Sequence, residues 1–395
     1  MNYNNFMARS CPIWVLLLLI LLGLIFIVAF GWSVKSTLSG SARSGIFGEL
    51  AVEISSFPNL VKNVLDDALE VKGKPVRVPN FDVDLTEFEK IKSINTIEIQ
   101  GLMVRASPAA LEENKGWRIL VGAFTIDGEF ENAAIALNSN LEVANVWHLT
   151  EQNIGSQEAR LAHRKFIHGL DLMSDGSVIY TFDGGVSIQR IDWCGKRMWA
   201  TGGGFHHTVT LEDNERYAWS LKGNALVRIE TKSGHIVQEI SMDNIIASNP
   251  DIDVLGARRR APNDLGKNSR KTNDPWMEDP FHLNDVDPLP KKISEKFASF
   301  EEGDLLVSAR NINLVFIIDP NSNKIKWWRS GVTTRQHDPD WGVDGRIHIY
   351  DNRMGHKFSR LISLSPDDFK YDVLYDGAKS DFYSRIRGKH QILDN

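Results

Sequence analysis

Cysteine is almost missing from this chain: Cys11 and Cys194 are the only two in 395 residues. A disulfide framework is therefore excluded, and an apolar core has to hold the fold. A basic excess is missing as well, since 45 Lys and Arg face 51 Asp and Glu for a net charge of −6. Without a basic stripe, a nucleic-acid partner is excluded. Charge of either sign is absent from Ser10 to Val34, and Ile13 to Phe30 is apolar almost throughout. A run of roughly 20 apolar residues matches the hydrocarbon core of a bilayer, whereas signal-peptide h-regions are about 7–15. Residues 1–34 are thus expected to be a cytoplasmic stub and an uncleaved signal anchor that crosses the lipid bilayer through residues 11–33. The alternative is a long signal cleaved near Gly40-Ser41-Ala42. Arg9 on one side, with Lys35 and Arg43 on the other, codes the orientation only weakly.

What is present is ordinary for a folded body: 42% hydrophobic and 24% charged residues leave no room for wholesale disorder. Residues 35–95 read as a tether. They are Ser/Gly-rich at first, then carry apolar positions at helical spacing (Phe47, Leu50, Ala51, Ile54, then Leu60, Val61, Val64) broken at Phe57-Pro58. That pattern predicts two short amphipathic helices, followed by a polar extended stretch.

From residue 96 to residue 395 the texture changes to short alternating strands separated by turns such as Asn138-Ser139-Asn140 and Ser174-Asp175-Gly176. A histidine returns at the head of successive units: His168, His207, His282 and His337. The first two are 39 residues apart and the last two 55. Recurrence of about 40–50 residues of pure strand predicts the blades of a β-propeller, an all-β fold. Equivalent positions of the blades would converge on one axial funnel, bringing the histidines together. Five blades can be traced, and Gly388-Lys389-His390 reads as the opening of one more, 53 residues after His337. Either a strand from residues 96–116 completes that blade, or the sequence is a piece of a longer protein; the second is the expectation. Residues 247–280 interrupt the rhythm with Arg258, Arg259, Arg260, Lys267, Arg270 and Lys271. Such an insertion is a lid over one face or a solvated basic loop.

The blade heads carry chemistry-bearing side chains. His282 and Asn284 share one strand face by simple alternation. Arg310, with Asn311 beside it, ends a buried-looking strand, and its planar fork suits sulfate or phosphate oxygens. His337 stands next to Asp338, an acid placed to orient it, and a neutral imidazole is a competent nucleophile. Each of these also has a structural reading. A blade-head histidine can simply tie neighbouring blades, and Asp338, Asp340 and Asp344 can be turn formers. Zinc at the histidines lacks a supporting thiol or carboxylate set, so no metal and no cofactor are expected.

At these positions the chain resembles the arylsulfotransferase-like propellers, the aryl-sulfate sulfotransferases that need no nucleotide donor. The resemblance rests on Asp279-Pro280-Phe281-His282-Leu283-Asn284-Asp285, on Gly303 to Asn311, and on Gln336-His337-Asp338 with Tyr350-Asp351-Asn352. It implies a six-bladed propeller whose last blade is incomplete here, on the extracytoplasmic (periplasmic) side of a single-pass anchor. It also implies transfer of a sulfuryl group from an aryl sulfate to a phenolic acceptor. His337 matches the histidine that takes the group covalently, His282 and Asn284 match the pair lining the site, and Arg310 matches the arginine on the sulfuryl oxygens. His168 fits a further family histidine, with His207 as runner-up; Asn311 and Asp338 complete the expected substrate-binding set. Two other readings stay open: a non-catalytic tethered propeller that binds a ligand or partner protein, and a calcium-dependent propeller hydrolase using Asn284, Asp285 and Asp338.

Overall fold

A computed structural model describes residues 13–38, 50, 116–126, 129–149, 166–182, 187–260, 276–277 and 279–392. The chain divides into two compact units, Met1–Asp84 with Arg260–Met277, and Leu85–Arg259 with Glu278–Asn395. In the first, α1 (Ile13–Leu38) contains a 21-residue stretch, Ile13–Ser33, long and apolar enough to cross a membrane. A signal sequence meets the same description. The expected amphipathic helices lie outside the described residues apart from Leu50.

The second unit is an all-β propeller. Blade 1 has three strands, β1 (Arg118–Ile126), β2 (Glu129–Leu137) and β3 (Val143–His148). The other four blades are four-stranded antiparallel meanders, each in chain order. Blade 2 is β4 (Ile167–Leu172), β5 (Val178–Phe182), β6 (Ser187–Ile191) and β7 (Arg197–Gly202). Blade 3 is β8 (Phe205–Leu211), β9 (Tyr217–Lys222), β10 (Ala225–Glu230) and β11 (Ile236–Ser241). Blade 4 is β12 (Leu283–Pro288), β13 (Leu305–Ala309), β14 (Leu314–Ile318) and β15 (Ile325–Ser330). Blade 5 is β16 (His337–Trp341), β17 (Ile347–Asp351), β18 (Arg360–Leu364) and β19 (Tyr371–Asp376). The first strands β4, β8, β12 and β16 pack side by side around the axis, while β7 and β19 lie largely exposed.

Five blades stand among the described residues, not the six that the resemblance implied. Residues 380–392 form no strand. Their backbone is taken up by blade 5 instead: the Phe382 carbonyl accepts from Ser359 N at 3.0 Å, and Ser384 N donates to Ser359 Oγ at 3.0 Å. The insertion expected over 247–280 is described only in part. It is entered through a short helix, α2 (Met242–Ser248), capped by the Ser241 hydroxyl, and residues 261–275 lie outside the described set.

The core fills the clefts between blades. Trp147, Val178, Tyr180 and Phe182 join blades 1 and 2; Ile179, Ile188, Phe205 and Val227 join blades 2 and 3; Leu306, Ile317, Trp341 and Ile349 join blades 4 and 5. Strand-borne tryptophans add directional ties, since an indole N–H buried at such a cleft needs an acceptor. Trp199 Nε1 donates to Thr231 O at 2.7 Å, and Trp341 Nε1 to Asp287 O at 3.0 Å. At the axis the blades approach more closely than side chains permit. A Cβ on Gly169 would lie 2.2 Å from the His207 carbonyl oxygen. Gly169→Ala therefore forces β4 away from β8 and destabilises the fold by about 1–3 kcal/mol. A lowered thermal unfolding midpoint with unchanged far-UV circular dichroism checks this.

Candidate functional site

Each four-stranded blade has a β-bulge at the head of its first strand. The register slips between Ile167 and Gly169, His206 and Val209, Leu283 and Asp285, and His337 and Pro339. The residues inside the bulges are His168, His207 with Thr208, Asn284 and Asp338, all but Thr208 singled out by the sequence. A bulge re-aims a side chain that regular pleating would turn elsewhere. His207 (φ 61°), His282 (φ 49°) and Asp338 (φ 50°) also hold left-handed backbone. Non-glycine residues pay about 1–3 kcal/mol each for such conformations, which persist where surrounding structure imposes them.

The upper part of the axis gathers five imidazoles. His168 and His207 overlap with ring centroids 4.0 Å apart, and His207 meets His206 at 4.8 Å and His282 at 4.9 Å. Nitrogens of His168, His207 and His337 all lie within 4.8 Å of one another.

The hydrogen-bond network assigns the tautomers. His206 Nε2 lies 2.9 Å from the Gly223 carbonyl, which only accepts, so His206 Nδ1 is left to accept. The 2.7 Å contact between the Nδ1 atoms of His206 and His207 then carries the His207 proton, and His207 Nε2 keeps its lone pair. The Asn352 amide is oriented by donating Nδ2 to the carbonyls of Ser384 at 3.0 Å and Arg387 at 2.5 Å. Its Oδ1 therefore accepts from His337 Nδ1 at 2.6 Å, and His337 Nε2 is the unprotonated nitrogen. His282 donates from Nδ1 to the Asp279 carboxylate, and its Nε2 accepts from Arg310 at 2.6 Å.

Burial disfavours charge on these rings. His337 falls to about 4, through desolvation first and the nearby Arg310 and His282 second, against the Asn352 bond that raises it. His207 drops well below the usual range through desolvation, with the surrounding histidines adding to it. At neutral pH both are uncharged. Asp279 is lowered: the bond from His282 and the charges of His282 and Arg310 outweigh its desolvation. Burial lowers Arg310 too, and Arg335 and Arg385 add to that by repulsion. Three guanidinium groups thus lie within electrostatic reach of one another, with Arg310 on His282, making an anion-favouring mouth.

A second cluster lies along the same inner strands. Asp171 (β4), Asp285 and Asp287 (β12), and Asp338 and Asp340 (β16) surround Lys389, whose affinity for its proton rises, Asp338 contributing most. Lys389 Nζ is 3.6 Å from Asp338 Oδ1, and His390 Nδ1 is 3.0 Å from Asp338 Oδ2. Desolvation and the neighbouring Asp338 push Asp285 up to about 7. Asp287 and Asp340 rise well above the carboxylate range for the same reasons, burial first. Asp338 itself stays lowered, because Lys389 and His390 outweigh its desolvation.

The structure brings His168, His207, His282, Arg310 and His337 together. Asn284 lies beside them with Oδ1 unpartnered among the described residues; its Nδ2 donates to Gln336 O at 2.7 Å, bracing the strand that carries His337. Asn311 stands apart at the rim, donating to the Asp279 carbonyl at 2.6 Å and accepting from Arg335. Asp338 does not orient His337 as expected. Consecutive strand residues point to different sides, and its carboxylate turns to Lys389 and His390, leaving Asn352 to hold the imidazole. Of the atoms suggested for calcium, Asp338 gathers with Asp340 and His390 rather than with Asn284, and Lys389 supplies a cation there already. Sequence reasoning missed the roles of Asp279, His206, Asn352 and Lys389. Asp279 and Asn352 lie in motifs already quoted, but their partners are visible only in three dimensions.

The sequence model of the arylsulfotransferase (ASST) family matches residues 169–395, more than half of the chain. The chain belongs to the arylsulfotransferase family. The match takes in His207, His282, Asn284, Arg310 and His337 and begins one residue after His168. No curated protein matches the chain. Among solved structures, hydrazine synthase of Kuenenia stuttgartiensis aligns at 9% identity and TM-score 0.33, over 53% of this chain and 49% of that one. The chain thus spans about half the length of that protein. A catalytically inactive virginiamycin B lyase from Staphylococcus aureus with quinupristin aligns at 14% identity and TM-score 0.36, over 71% and 75%. The Neurospora crassa Pan2 WD40 domain aligns at 10% identity and TM-score 0.39, over 65% and 62%.

The depressed imidazoles make stability of this arylsulfotransferase-family propeller depend on pH. His337 binds its proton near pH 6.5 when unfolded and near 4 when folded. The unfolded state therefore takes up more protons in that window, and stability falls as pH drops from about 6.5 towards 4. The full loss from His337 is about 3 kcal/mol. Unfolding midpoints measured from pH 7 to pH 4.5 will decline, and His337→Asn will flatten that decline.

Proposed function

We propose that this protein moves a sulfuryl group from an aryl sulfate to a phenol through a covalent sulfohistidine at His337. The observation that carries the reading is the imposed lone pair on His337 Nε2, within the electrostatic reach of Arg310, in a chain of the arylsulfotransferase family. The aryl sulfate enters at the guanidinium-rich mouth, and Arg310 leaves His282 Nε2 for the sulfuryl oxygens. His337 Nε2 attacks sulfur, the sulfur–aryloxy bond breaks, and the phenoxide departs with its electron pair. Once Arg310 has left, His282 Nε2 takes up a proton from solvent, and the ring, held through Nδ1 by Asp279, passes that proton to the phenoxide. In the second half, neutral His282 takes the proton of the acceptor phenol as the phenol oxygen attacks sulfur. The sulfur–Nε2 bond then breaks and returns the lone pair to His337.

Asn284 is a positioning residue through Gln336, and Asn352 is another, since its Oδ1 takes the Nδ1 proton of His337. His207 and His168 form the back wall against the aryl ring. Neither step calls for a cofactor. In this reading α1 remains as the anchor and the propeller faces the periplasm; the helix's length and lack of charge support it.

The test uses the full chain in detergent with 4-nitrophenyl sulfate. Intact mass spectrometry will show an adduct of one SO3 that a phenol acceptor discharges and that His337→Ala lacks. Removing the acid–base group with His282→Ala slows turnover by about 10²–10⁴-fold. Loss of the oxygen-binding cation in Arg310→Ala costs about 10²–10³-fold. A folded protein that shows neither adduct nor nitrophenol release overturns the transferase and leaves a ligand-binding propeller.

A further inference from the structure

The same imidazoles have a second chemistry. A divalent transition metal needs deprotonated nitrogens, preorganised and fixed by a hydrogen bond on the other ring atom. His207 and His337 meet each requirement: His206 fixes the one and Asn352 the other, leaving each ring its Nε2 lone pair. His168 places a nitrogen within 4.8 Å of both. Nitrogens bound to one tetrahedral zinc stand about 3.3 Å apart, given zinc–nitrogen bonds of about 2.0–2.1 Å, so side-chain rotation closes the set.

We propose that His168, His207 and His337 form a three-imidazole site for a divalent transition-metal ion, with zinc as the reference ligand. Imidazole-only donors suit zinc, copper and nickel over magnesium or calcium, and three ligands leave one tetrahedral position open. The positive charge of Arg310 opposes the ion. Asp338, the carboxylate that stays ionised, adjoins His337 in the chain and offsets part of that charge. A metal on His337 Nε2 occupies the lone pair that attack on sulfur uses. On the proposed mechanism, metal-loaded protein is therefore blocked as a transferase; the site itself stands without that mechanism.

Binding is read directly, by titrating the full chain in detergent with Co2+ and following its visible d–d absorption, then displacing it with Zn2+. One ion per chain with an intense, tetrahedral-type band is expected. His168→Gln, His207→Gln and His337→Gln each weaken binding at least tenfold, while His348→Gln, remote from the cluster, does not. X-ray absorption of zinc-loaded wild-type protein needs no variant, and it will show about three imidazole nitrogens at about 2.0–2.1 Å. No saturable binding, a shell of oxygens only, or binding abolished by His390→Gln but not by His168→Gln overturns the proposal. The last result would put the ion at Asp338, Asp340 and His390 instead.

Discussion

The bulge at the head of each innermost strand is the constraint on which the rest of the site depends. Regular alternation would divide consecutive residues between the two blade clefts. The slip, of one residue at His168, Asn284 and Asp338 and of two at His207 and Thr208, turns selected side chains along the axis. The same geometry demands left-handed backbone at His207, His282 and Asp338. Those conformations persist because inter-blade bonds lock the strands that contain them. Thr181 Oγ1 donates to the His207 carbonyl at 3.0 Å, Asp171 Oδ2 accepts Leu211 N at 2.8 Å, and Asn284 reaches the Gln336 carbonyl. Gly169 belongs to this lock as a gap: it lets β4 lie directly on the strained segment of β8.

Charge along the axis is then sorted into two layers. Neutral imidazoles and guanidinium groups occupy one, and carboxyl groups around Lys389 occupy the other. Burial penalises every charged form in both layers. His207 and His337 answer by staying uncharged. Among the carboxyl groups, only Asp338, with an ammonium and an imidazole beside it, stays firmly ionised, while Asp285, Asp287 and Asp340 hold their protons more tightly. An anion meets hydrogen-bond donors in the first layer and carboxyl groups in the second, so the first is the one that favours it.

Much of the fold was legible because strand texture is local. The alternation in Ser177–Thr181, Tyr217–Leu221 and Leu314–Ile318 and the turns between such runs locate the blades. The recurrent histidine places four of the five imidazoles before any coordinates are seen. Closure was not legible in the same way. Gly388-Lys389-His390 repeats a blade-opening pattern, yet strand formation needs a partner edge, and this segment finds Ser359, Asn352 and Asp338 first. Roles were less legible than positions. Adjacency suggested Asp338 as the orienter of His337, whereas the hydrogen bond comes from Asn352, 15 residues on and one strand across. Whether a residue is a ligand, an orienter or a brace depends on which atoms converge, and period alone does not encode that.

Three imidazoles of this cluster carry an unprotonated Nε2 by the same logic, so the lone pair alone does not choose the nucleophile. His282 has that atom covered by Arg310 at 2.6 Å, and its other nitrogen rests on the Asp279 carboxylate. With Nδ1 fixed on a carboxylate, its Nε2 is the atom placed for proton transfer. His207 is turned against His168 at 4.0 Å and takes its orientation from a second imidazole, an acceptor that weakens as soon as His206 is protonated. His337 differs from both. Its orienter is an amide that no change of pH alters, itself pinned by two backbone carbonyls, and its ring stays neutral down to about pH 4. On the proposed mechanism, the group that accepts the electron-withdrawing sulfuryl must keep one tautomer through a full cycle of bond making and breaking. Only the Asn352–His337 pair meets that requirement without depending on another titrating ring.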